Sequence, residues 1–576
     1  MFTYMDSEFI STISDLESNV HSFARRRDDI WTLTASGVTR TERQILALVD
    51  RDAYNPITEK VRVLLVGGLS GVASDVSIAI KALSLVASST DKSLFSKLAI
   101  SAIPCANPGG LSLNTGPSNG AGGFVNIGYP PSNGFFNHPM SPEIRYLWRW
   151  ICYQAPDLVI EIQADTVTGW EANGAAGILG KALEVHRIVD DDSLIGALAG
   201  KGTGNLGSIP GIRLKTTTSG LAEELRRFWS IVTVTPPGKS EARIALDRRR
   251  SRTPIEVGRD LEKTNGLSLD PLVYTQGVAI SGRLRLSVLD PDGDRNLEDI
   301  TRLIEPVISD PGYALGGSPQ APELAALVWA EELASLTSDP RYKNALVVAA
   351  NYIQSHGDGL PARPLDQNYI VEDFFFASAV LGRAYEATKD LKYINLMTEF
   401  LISAGTQEES GLFSHSRLGK FHWGRGNGFA ALGLAEAITY MPDGYVHRQT
   451  IKNMFAKQME RLQDLQEPSG MYLQVIDFPG SYQELTATCM IGLSMVRGIR
   501  RGWLDNSYRS TVELAWQAVS ERIDSDGNVV DGCTGTGVMD SLRSYLDRPA
   551  NSGYDDRTGS MALWFAAEMA ELISQY

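Results

Sequence analysis

The chain has 576 residues, of which 43% are hydrophobic, enough to bury a core in each of several domains. Its 53 basic and 68 acidic residues give a formal net charge of -15, and no basic stripe of the kind that binds nucleic acid is visible. The longest apolar runs are too short to span a bilayer. These features exclude nucleic-acid and membrane partners from the prediction and indicate a globular protein.

The N-terminus and the cysteines both favour a cytoplasmic protein. The opening sequence, MFTYMDSEFISTISDLES, has acidic residues and neither the basic nor the apolar segment of a secretory signal. The four cysteines lack the Cys-x-x-Cys spacing of a zinc ribbon and are too few and scattered for a disulfide scaffold. We interpret residues 1–54 as a lead-in to the first domain.

Residues 55–284 are predicted to form an α/β domain with a linker, because strands and helices alternate along them. Each predicted strand is a continuous apolar run that ends in turn residues, which is typical of a buried parallel strand. We interpret 236–284 as the end of this domain, with strand-like alternation at 272–289 and a solvated basic turn at 248–252. The predicted order is strand 61–69, helix 74–88, strand 97–105, helix 142–154 and strand 156–163.

Residues 285–576 are predicted to be entirely helical. Apolar segments of about 15 residues with helical periodicity recur between loops rich in Gly, Pro and Asp. Helix pairs repeated in this way close into toroids or extend as solenoids. The predicted helices are 322–337, 343–355, 372–388, 391–403, 427–440, 448–465, 481–498, 508–523 and 557–573.

Three features of this helical region suggest chemistry. Glu372 and Asp373 open a helix that is otherwise rich in aromatic residues. Acidic residues at the start of a helix often only cap it. Apolar neighbours, however, raise the pKa of a carboxyl group, which suits a general acid. In WGRGNGF (423–429), Arg425 is able to bind a carboxylate, although a structural arginine at a helix entry is the alternative. His415 lies only a few residues before this loop.

Five segments in a fixed order give the N-terminal half its resemblance to the zinc carboxypeptidase fold, over about residues 55–235. At the positions of that family's three zinc ligands this chain has Ser70, Ala73 and Gln163, none of which replaces a histidine or carboxylate ligand. The resemblance therefore implies the fold without peptidase chemistry and without a metal. A structural platform, a sugar-binding surface and a dimerisation module remain open as its role. The segments are GGLSG (67–71), IPCANPGGL (103–111), NIGYPPSNGFF (126–136), PEIRYLWRWI (142–151) and PDLVIEIQAD (156–165).

The C-terminal half resembles the unsaturated glucuronyl and rhamnogalacturonyl hydrolases, glycoside hydrolase families 88 and 105, over about residues 320–575. This resemblance implies an (α/α)6 barrel that hydrates the 4,5-double bond of unsaturated uronyl residues at the non-reducing end of lyase-derived oligosaccharides, with no cofactor. One carboxyl group then serves as acid and as base. The matching segments are EDFFFASAVLGRAYEATKD (372–390), GLFSH (411–415), WGRGNGFAALGLAEAI (423–438), the stretch 467–505, CTGTG (533–537) and GSMALWFAAEMAE (559–571).

The resemblance places the catalytic carboxyl group on the pair Glu372 and Asp373. A gapless alignment favours Glu372, whereas residue type favours Asp373. The substrate-binding residues that it implies are His415, Trp423, Arg425, Asn427, Phe429 and Glu484.

The chain departs from the family at several positions. The second active-site acid aligns with Pro322, next to Glu323, and the tryptophan before the catalytic acid is replaced by Ile370. These departures leave two alternatives open: a uronidase of the same barrel fold that acts on a saturated sugar, and a non-catalytic glycan-binding protein. The missing zinc ligands count against a peptidase or amidase.

Overall fold

The computed structural model describes residues 10–132, 136–200, 202, 205–290, 297–357 and 359–575. The chain divides into two compact units. The N-terminal unit comprises Met1–Arg248 and Phe478–Tyr482, and the C-terminal unit comprises Arg249–Asp477 and Gln483–Tyr576. The predicted fold class, an α/β domain followed by a helical toroid, is confirmed.

The N-terminal unit is built on a mixed sheet with eight strands among the described residues. Its centre consists of the three predicted strands, which pair in parallel, and every residue of Val61–Gly67 is buried because helices pack on the sheet. In spatial order the strands are Trp31–Val38, Gln44–Asp50, Leu98–Ile103, Val61–Gly67, Leu158–Ala164, Gly211–Thr216, Gly169–Ala172 and Arg187–Ile188. The longer helices of the unit are Ile13–Arg26, Ala73–Ala87, Pro142–Gln154, Leu221–Val234 and Glu241–Arg250. The boundary with the C-terminal unit falls within the last of these helices.

The described residues before position 55 are part of this sheet rather than a lead-in to it. Trp31–Val38 and Gln44–Asp50 form an antiparallel pair, and the second strand pairs with Leu98–Ile103 through Leu48 and Ala102. The indole nitrogen of Trp31 donates a hydrogen bond to the carbonyl oxygen of Ile100 at 2.6 Å. These two strands therefore share the core of the unit.

The C-terminal unit is a closed ring of six inner helical segments surrounded by outer helices, within the part of the chain that the structure describes. Each inner segment packs on the next, and the last packs on the first, which closes the toroid. Because an outer helix returns the chain between successive inner helices, all inner helices begin at the same end of the ring. The inner segments are Tyr274–Leu289, the broken helix Ala321–Leu324 to Ala330–Thr337, Glu372–Thr388, Gly424–Tyr440, Leu485–Arg500 and Asp556–Ser574. The outer helices are Pro254–Glu262, Leu297–Ser309, Pro340–Asn351, Leu391–Ser403, Arg448–Asp464 and Arg509–Glu521.

The units divide at Arg248–Arg249, earlier than the predicted 284–285, because the first helix pair closes the ring. The segment expected to be strand-like is the inner helix Tyr274–Leu289, which is buried along most of its length. Its small residues permit close packing: a Cβ on Gly277 would lie 2.2 Å from the carbonyl oxygen of Ala326. The alternation of apolar residues in this segment therefore reflects an enclosed helix rather than a strand.

The basic residues at 248–252 are not a solvated turn. Arg249 and Arg252 donate to the carbonyl oxygens of Glu521 and Ser520 at 2.9 and 2.7 Å. Arg250 pairs with the Glu521 carboxylate at 2.7 Å. These arginines satisfy the end of helix Arg509–Glu521, where carbonyl groups lack helical partners and positive charge is favourable.

A chain of buried ion pairs, which we call the charge belt, connects the inner helices. Arg497 pairs with Glu568 at 2.9 Å, and Glu568 pairs with Arg285 at 2.7 Å. Arg285 lies 11 positions, and Arg497 and Glu568 lie 12 positions, after the first residues of their helices, a rise of roughly 17 Å. The belt therefore lies toward the end of the ring opposite the helix N-termini. Its members, each paired with the next, are Glu331, Arg383, Glu436, Arg497, Glu568 and Arg285.

Candidate active site

The candidate site lies where the inner helices begin, because the predicted functional residues occupy the first turns of these helices and the loops before them. Glu372 starts one inner helix, and Arg425 lies in the first turn of the next. Tyr274 starts a third inner helix, and Asp556 starts a fourth. Their parallel orientation brings these first turns to one end of the ring.

Glu372 and His415 are brought into contact, as the site prediction requires. The Nε2 atom of His415 lies 3.4 Å from Oε1 of Glu372. The second carboxylate oxygen, Oε2, is buried and has no hydrogen-bond partner among the described residues. On its other side, Nδ1 of His415 lies 2.7 Å from the hydroxyl group of Tyr545. One carboxylate oxygen thus contacts His415, and the other has no partner among the described residues.

Trp423 connects this pair to Arg425. Its ring lies 4.6 Å from the ring of His415, and the guanidinium carbon of Arg425 lies 4.8 Å from its centre. The indole nitrogen of Trp423 is a second buried polar atom that has no partner within the described chain. Phe429 lies behind Trp423, at 6.5 Å, in an aromatic cluster with Tyr274. Five predicted residues therefore share one neighbourhood.

Asp373 faces a different environment from Glu372. Its carboxylate accepts a hydrogen bond from the backbone amide of Asp366 at 2.7 Å, and the residue is only 3% exposed. Burial raises the pKa of Asp373 to about 8; the Asp366 amide opposes this shift, and the negative charge of Glu372 adds to it. Asp373 is thus a buried acid that is mostly protonated at neutral pH and holds the 366 loop.

Asn427 and Glu484 have structural partners for their polar atoms. The side chain of Asn427 donates to the carbonyl oxygens of Phe413 and Trp423 and accepts from the Phe413 amide at 2.9 Å. Glu484 caps helix Leu485–Arg500 and also accepts from the amide of Cys533 at 2.8 Å. We interpret both residues as supports of the loops around the site.

Arg425 is also held by backbone groups. One terminal nitrogen donates to the carbonyl oxygen of Cys533, and the other donates to that of Thr534 at 2.7 Å. The residue is 2% exposed. These contacts fit the structural alternative for Arg425 and tie the 533–534 segment to the start of helix Gly424–Tyr440.

The positions that depart from the family do not bring a second acid to Glu372 through any described contact. Glu323 accepts a hydrogen bond from the backbone amide of Gln320 at 2.8 Å and so caps its own short helix. Pro322 provides the first turn of that helix.

Sequence reasoning missed Tyr545, Tyr274 and Arg557. Burial raises the pKa of Tyr274 to about 12; the charges of Arg425 and Arg557 lower it, whereas those of Asp556 and Glu372 raise it. The charges of these four groups therefore act on one phenol at the site end of the ring. No motif marked the three residues. Tyr545 contacts His415 across 130 positions, and Tyr274 and Arg557 lie at the starts of the first and the last inner helix.

In the N-terminal unit, the positions of the zinc ligands are occupied by self-contained hydrogen bonds. The Ser70 hydroxyl bonds to the Asp75 carboxylate, whose second oxygen accepts from the Ala164 amide at 2.9 Å. Gln163 donates to Glu161 at 2.6 Å, and Glu161 also pairs with Arg213 at 2.8 Å. No group of three or more His, Cys, Asp or Glu able to hold a metal is found among the described residues.

A cavity of about 510 Å³ lies beside this region and is lined by polar residues that include Asp165, His186 and Lys215. It belongs to the N-terminal unit and contains none of the predicted catalytic residues.

Among the described residues, none of the helices combines the length and the apolar character that a membrane span requires.

Comparison with known proteins confirms the resemblance of the C-terminal part. Residues 404–573 match the profile of Glycosyl Hydrolase Family 88. An unsaturated 3S-rhamnoglycuronyl hydrolase from Formosa agariphila is 32% identical over 113 residues, which cover 19% of this chain and 30% of that protein. The chain spans between 30% and 41% of the length of three curated relatives that it matches.

Solved structures are similar to both parts of the chain. A possible glycoside hydrolase family 105 member from Klebsiella pneumoniae covers 58% of this chain and 94% of its own, with 18% identity and a TM-score of 0.47. A metallo-carboxypeptidase from Burkholderia cenocepacia covers 38% of this chain and 68% of its own, with 12% identity and a TM-score of 0.32.

Proposed function

We propose that the C-terminal unit hydrates the 4,5-double bond of unsaturated uronyl residues at the non-reducing end of oligosaccharides, with Glu372 as its acid and base. The observation that carries this proposal is the arrangement of the Glu372 carboxylate. One oxygen is fixed by His415, while the other is buried without a partner among the described residues. The family profile and the activity named for the Formosa relative support the substrate class.

In the proposed reaction, the Glu372 carboxyl group protonates C4, and the electron pair of the double bond forms the new C–H bond. The positive charge that develops at C5 is shared by the ring oxygen. Water adds at C5 and returns its proton to Glu372. The hemiketal then opens by breaking the bond between C5 and the ring oxygen, and the hemiacetal left at C1 collapses to an aldehyde, which breaks the C1–O bond and releases the remaining sugar. The acid is regenerated and one water is consumed, so one carboxyl group is sufficient.

Glu372 rather than Asp373 is proposed as this group because of what each contacts. Glu372 faces His415, and its charge acts on both Tyr274 and Tyr545. The described hydrogen bond of Asp373 is to the backbone of the 366 loop. We assign Asp373 a positioning role, which reverses the preference based on residue type.

For the substrate's own carboxylate we propose Arg557 as the cation. Its side chain is 38% exposed, and it approaches the adjacent Asp556 carboxylate at 3.3 Å. Arg557 lies in the first turn of helix Asp556–Ser574, at the end of the ring where the inner helices begin, and its charge acts on Tyr274 together with that of Glu372. Arg425, by contrast, is committed to two backbone carbonyl groups.

The test uses the near-ultraviolet absorbance of unsaturated uronides, which hydration removes. We expect the 576-residue protein to bleach at least one digest from a panel of polysaccharide-lyase digests, and Glu372→Gln to slow this reaction by about 100-fold or more. Glu386→Gln is the matched control, because Glu386 lies on the same helix with a half-exposed side chain.

Two results would contradict the proposal in different ways. If the wild-type protein bleaches none of the digests, the proposed activity is wrong. If it bleaches them and Asp373→Asn is inactive while Glu372→Gln is not, the activity stands and the acid is Asp373. We further propose a cytoplasmic location for this reaction, which the small number and the scattered spacing of the cysteines favour.

A further inference from the structure

A row of three hydrogen bonds leads from a backbone amide to Glu372. The amide of Met539 lies 3.2 Å from the hydroxyl oxygen of Tyr545. That oxygen lies 2.7 Å from Nδ1 of His415, and Nε2 of the same ring lies 3.4 Å from Oε1 of Glu372. All four residues belong to the C-terminal unit.

The chemistry of the groups sets the direction of this row. A backbone amide only donates, so the Tyr545 oxygen accepts from Met539 and keeps its own hydrogen for another acceptor. The acceptor that the described contacts supply for this hydrogen is Nδ1 of His415. An imidazole nitrogen that accepts a hydrogen bond carries no hydrogen, so the neutral ring carries it on Nε2.

We infer that Tyr545 is a positioning residue that holds His415 in its Nε2–H tautomer, so that His415 donates to Oε1 of Glu372. Oε1 is then occupied by a donor, and Oε2 is the oxygen that exchanges a proton with a ligand. The opposite tautomer would place a lone pair of Nε2 against the carboxylate and would repel it. The catalytic meaning of this arrangement rests on the proposed function, whereas the tautomer is a property of the protein alone.

The surroundings of His415 keep the ring in place. Trp423 packs against it at 4.6 Å, and the ring of Tyr545 approaches edge-on at 5.7 Å. The carbonyl oxygen of His415 accepts from the amide of Val371, the residue before Glu372, at 3.1 Å. Both the backbone and the side chain of His415 are therefore fixed relative to the carboxylate.

The first test is a measurement of the tautomer by NMR. The chain contains seven histidines, so a sample with isotope-labelled histidine gives few ring signals, and a His415→Gln variant identifies that of His415. We expect the Nε2–H form in the unmodified protein at neutral pH. An Nδ1–H or doubly protonated ring there would overturn the inference, and this result needs no variant.

The second test compares Tyr545→Phe with Tyr393→Phe. Tyr393 is also buried and donates one hydrogen bond, to Asn351 at 3.0 Å on the outer layer of the ring, so it is a matched control. We expect Tyr545→Phe to shift the His415 signal away from the pure Nε2–H form and to lower kcat about tenfold with little change in KM. Tyr393→Phe should leave both quantities unchanged.

The outcomes separate the inference from the proposed function. An Nε2–H signal that persists in Tyr545→Phe, or a loss confined to KM, overturns the role of Tyr545. If the tautomer responds as expected but the wild-type protein bleaches no lyase digest, the inference about His415 stands and the proposed function fails.

Discussion

Replacing Glu436 in the charge belt by glutamine should destabilise the C-terminal unit strongly. Glu436 is buried and lies between the guanidinium groups of Arg383 and Arg497. Burial alone would raise the pKa of this carboxyl group, but the two arginines outweigh that effect and lower it to about 2. The carboxylate is therefore stabilised in the folded protein relative to the unfolded chain, whose pKa is about 4.5.

The size of the effect follows from this shift. A difference of about 2.5 pKa units corresponds to roughly 3 kcal/mol of unfolding free energy at pH 7. Glutamine has nearly the same shape and no charge, so Glu436→Gln should lose about this amount. Because the folded pKa is lowered, the contribution is complete above pH 4.5 and declines as the pH falls toward 2. At pH 3.5 the difference should shrink to about 2 kcal/mol.

Urea unfolding of wild type and Glu436→Gln at pH 7 and pH 3.5 measures both quantities. The control is Glu305→Gln, which removes an exposed ion pair with Arg341 and should cost less than about 1 kcal/mol. A loss at pH 7 no larger than that of the control would refute the reasoning. A difference in unfolding free energy between wild type and Glu436→Gln that is larger at pH 3.5 than at pH 7 would also refute it.

Three further outcomes follow from the site. Asp373→Asn should gain stability relative to wild type as the pH rises from 4 to 8, because the raised pKa of Asp373 makes its ionisation unfavourable in the folded state. The difference in melting temperature between the variant and wild type, measured at pH 5 and at pH 8, tests this. Arg557→Ala should raise KM for an unsaturated uronide about tenfold without lowering the melting temperature, and an unchanged KM would remove Arg557 from the site. Asn427→Ala should cost about 2 kcal/mol of stability, because it leaves the amide of Phe413 unpaired, and an unaltered urea midpoint would contradict this.

The amino-acid sequence predicted the elements whose patterns are local. The apolar runs at 61–69, 97–105 and 156–163 form the central strands, and most predicted helices after residue 320 begin and end within a few residues of the observed ones. A candidate site could be proposed from the sequence because Glu372 and Arg425 lie at predicted helix starts; in the structure all inner helices start at one end of the ring. Hydrophobic periodicity and short motifs carry this information without any knowledge of distant contacts.

Only the tertiary structure decided how the candidate residues are used. Which of two adjacent acids meets His415 depends on a rotation of about 100° around the helix, and the sequence shows no preference between them. Tyr545 reaches His415 from 130 positions away, and Arg425 is held by carbonyl groups more than 100 positions away. The helix Tyr274–Leu289 was likewise obscured because an inner helix is enclosed on all sides and loses its polar face. Contacts between distant segments are set by how the ring closes, and no local pattern in the chain encodes them.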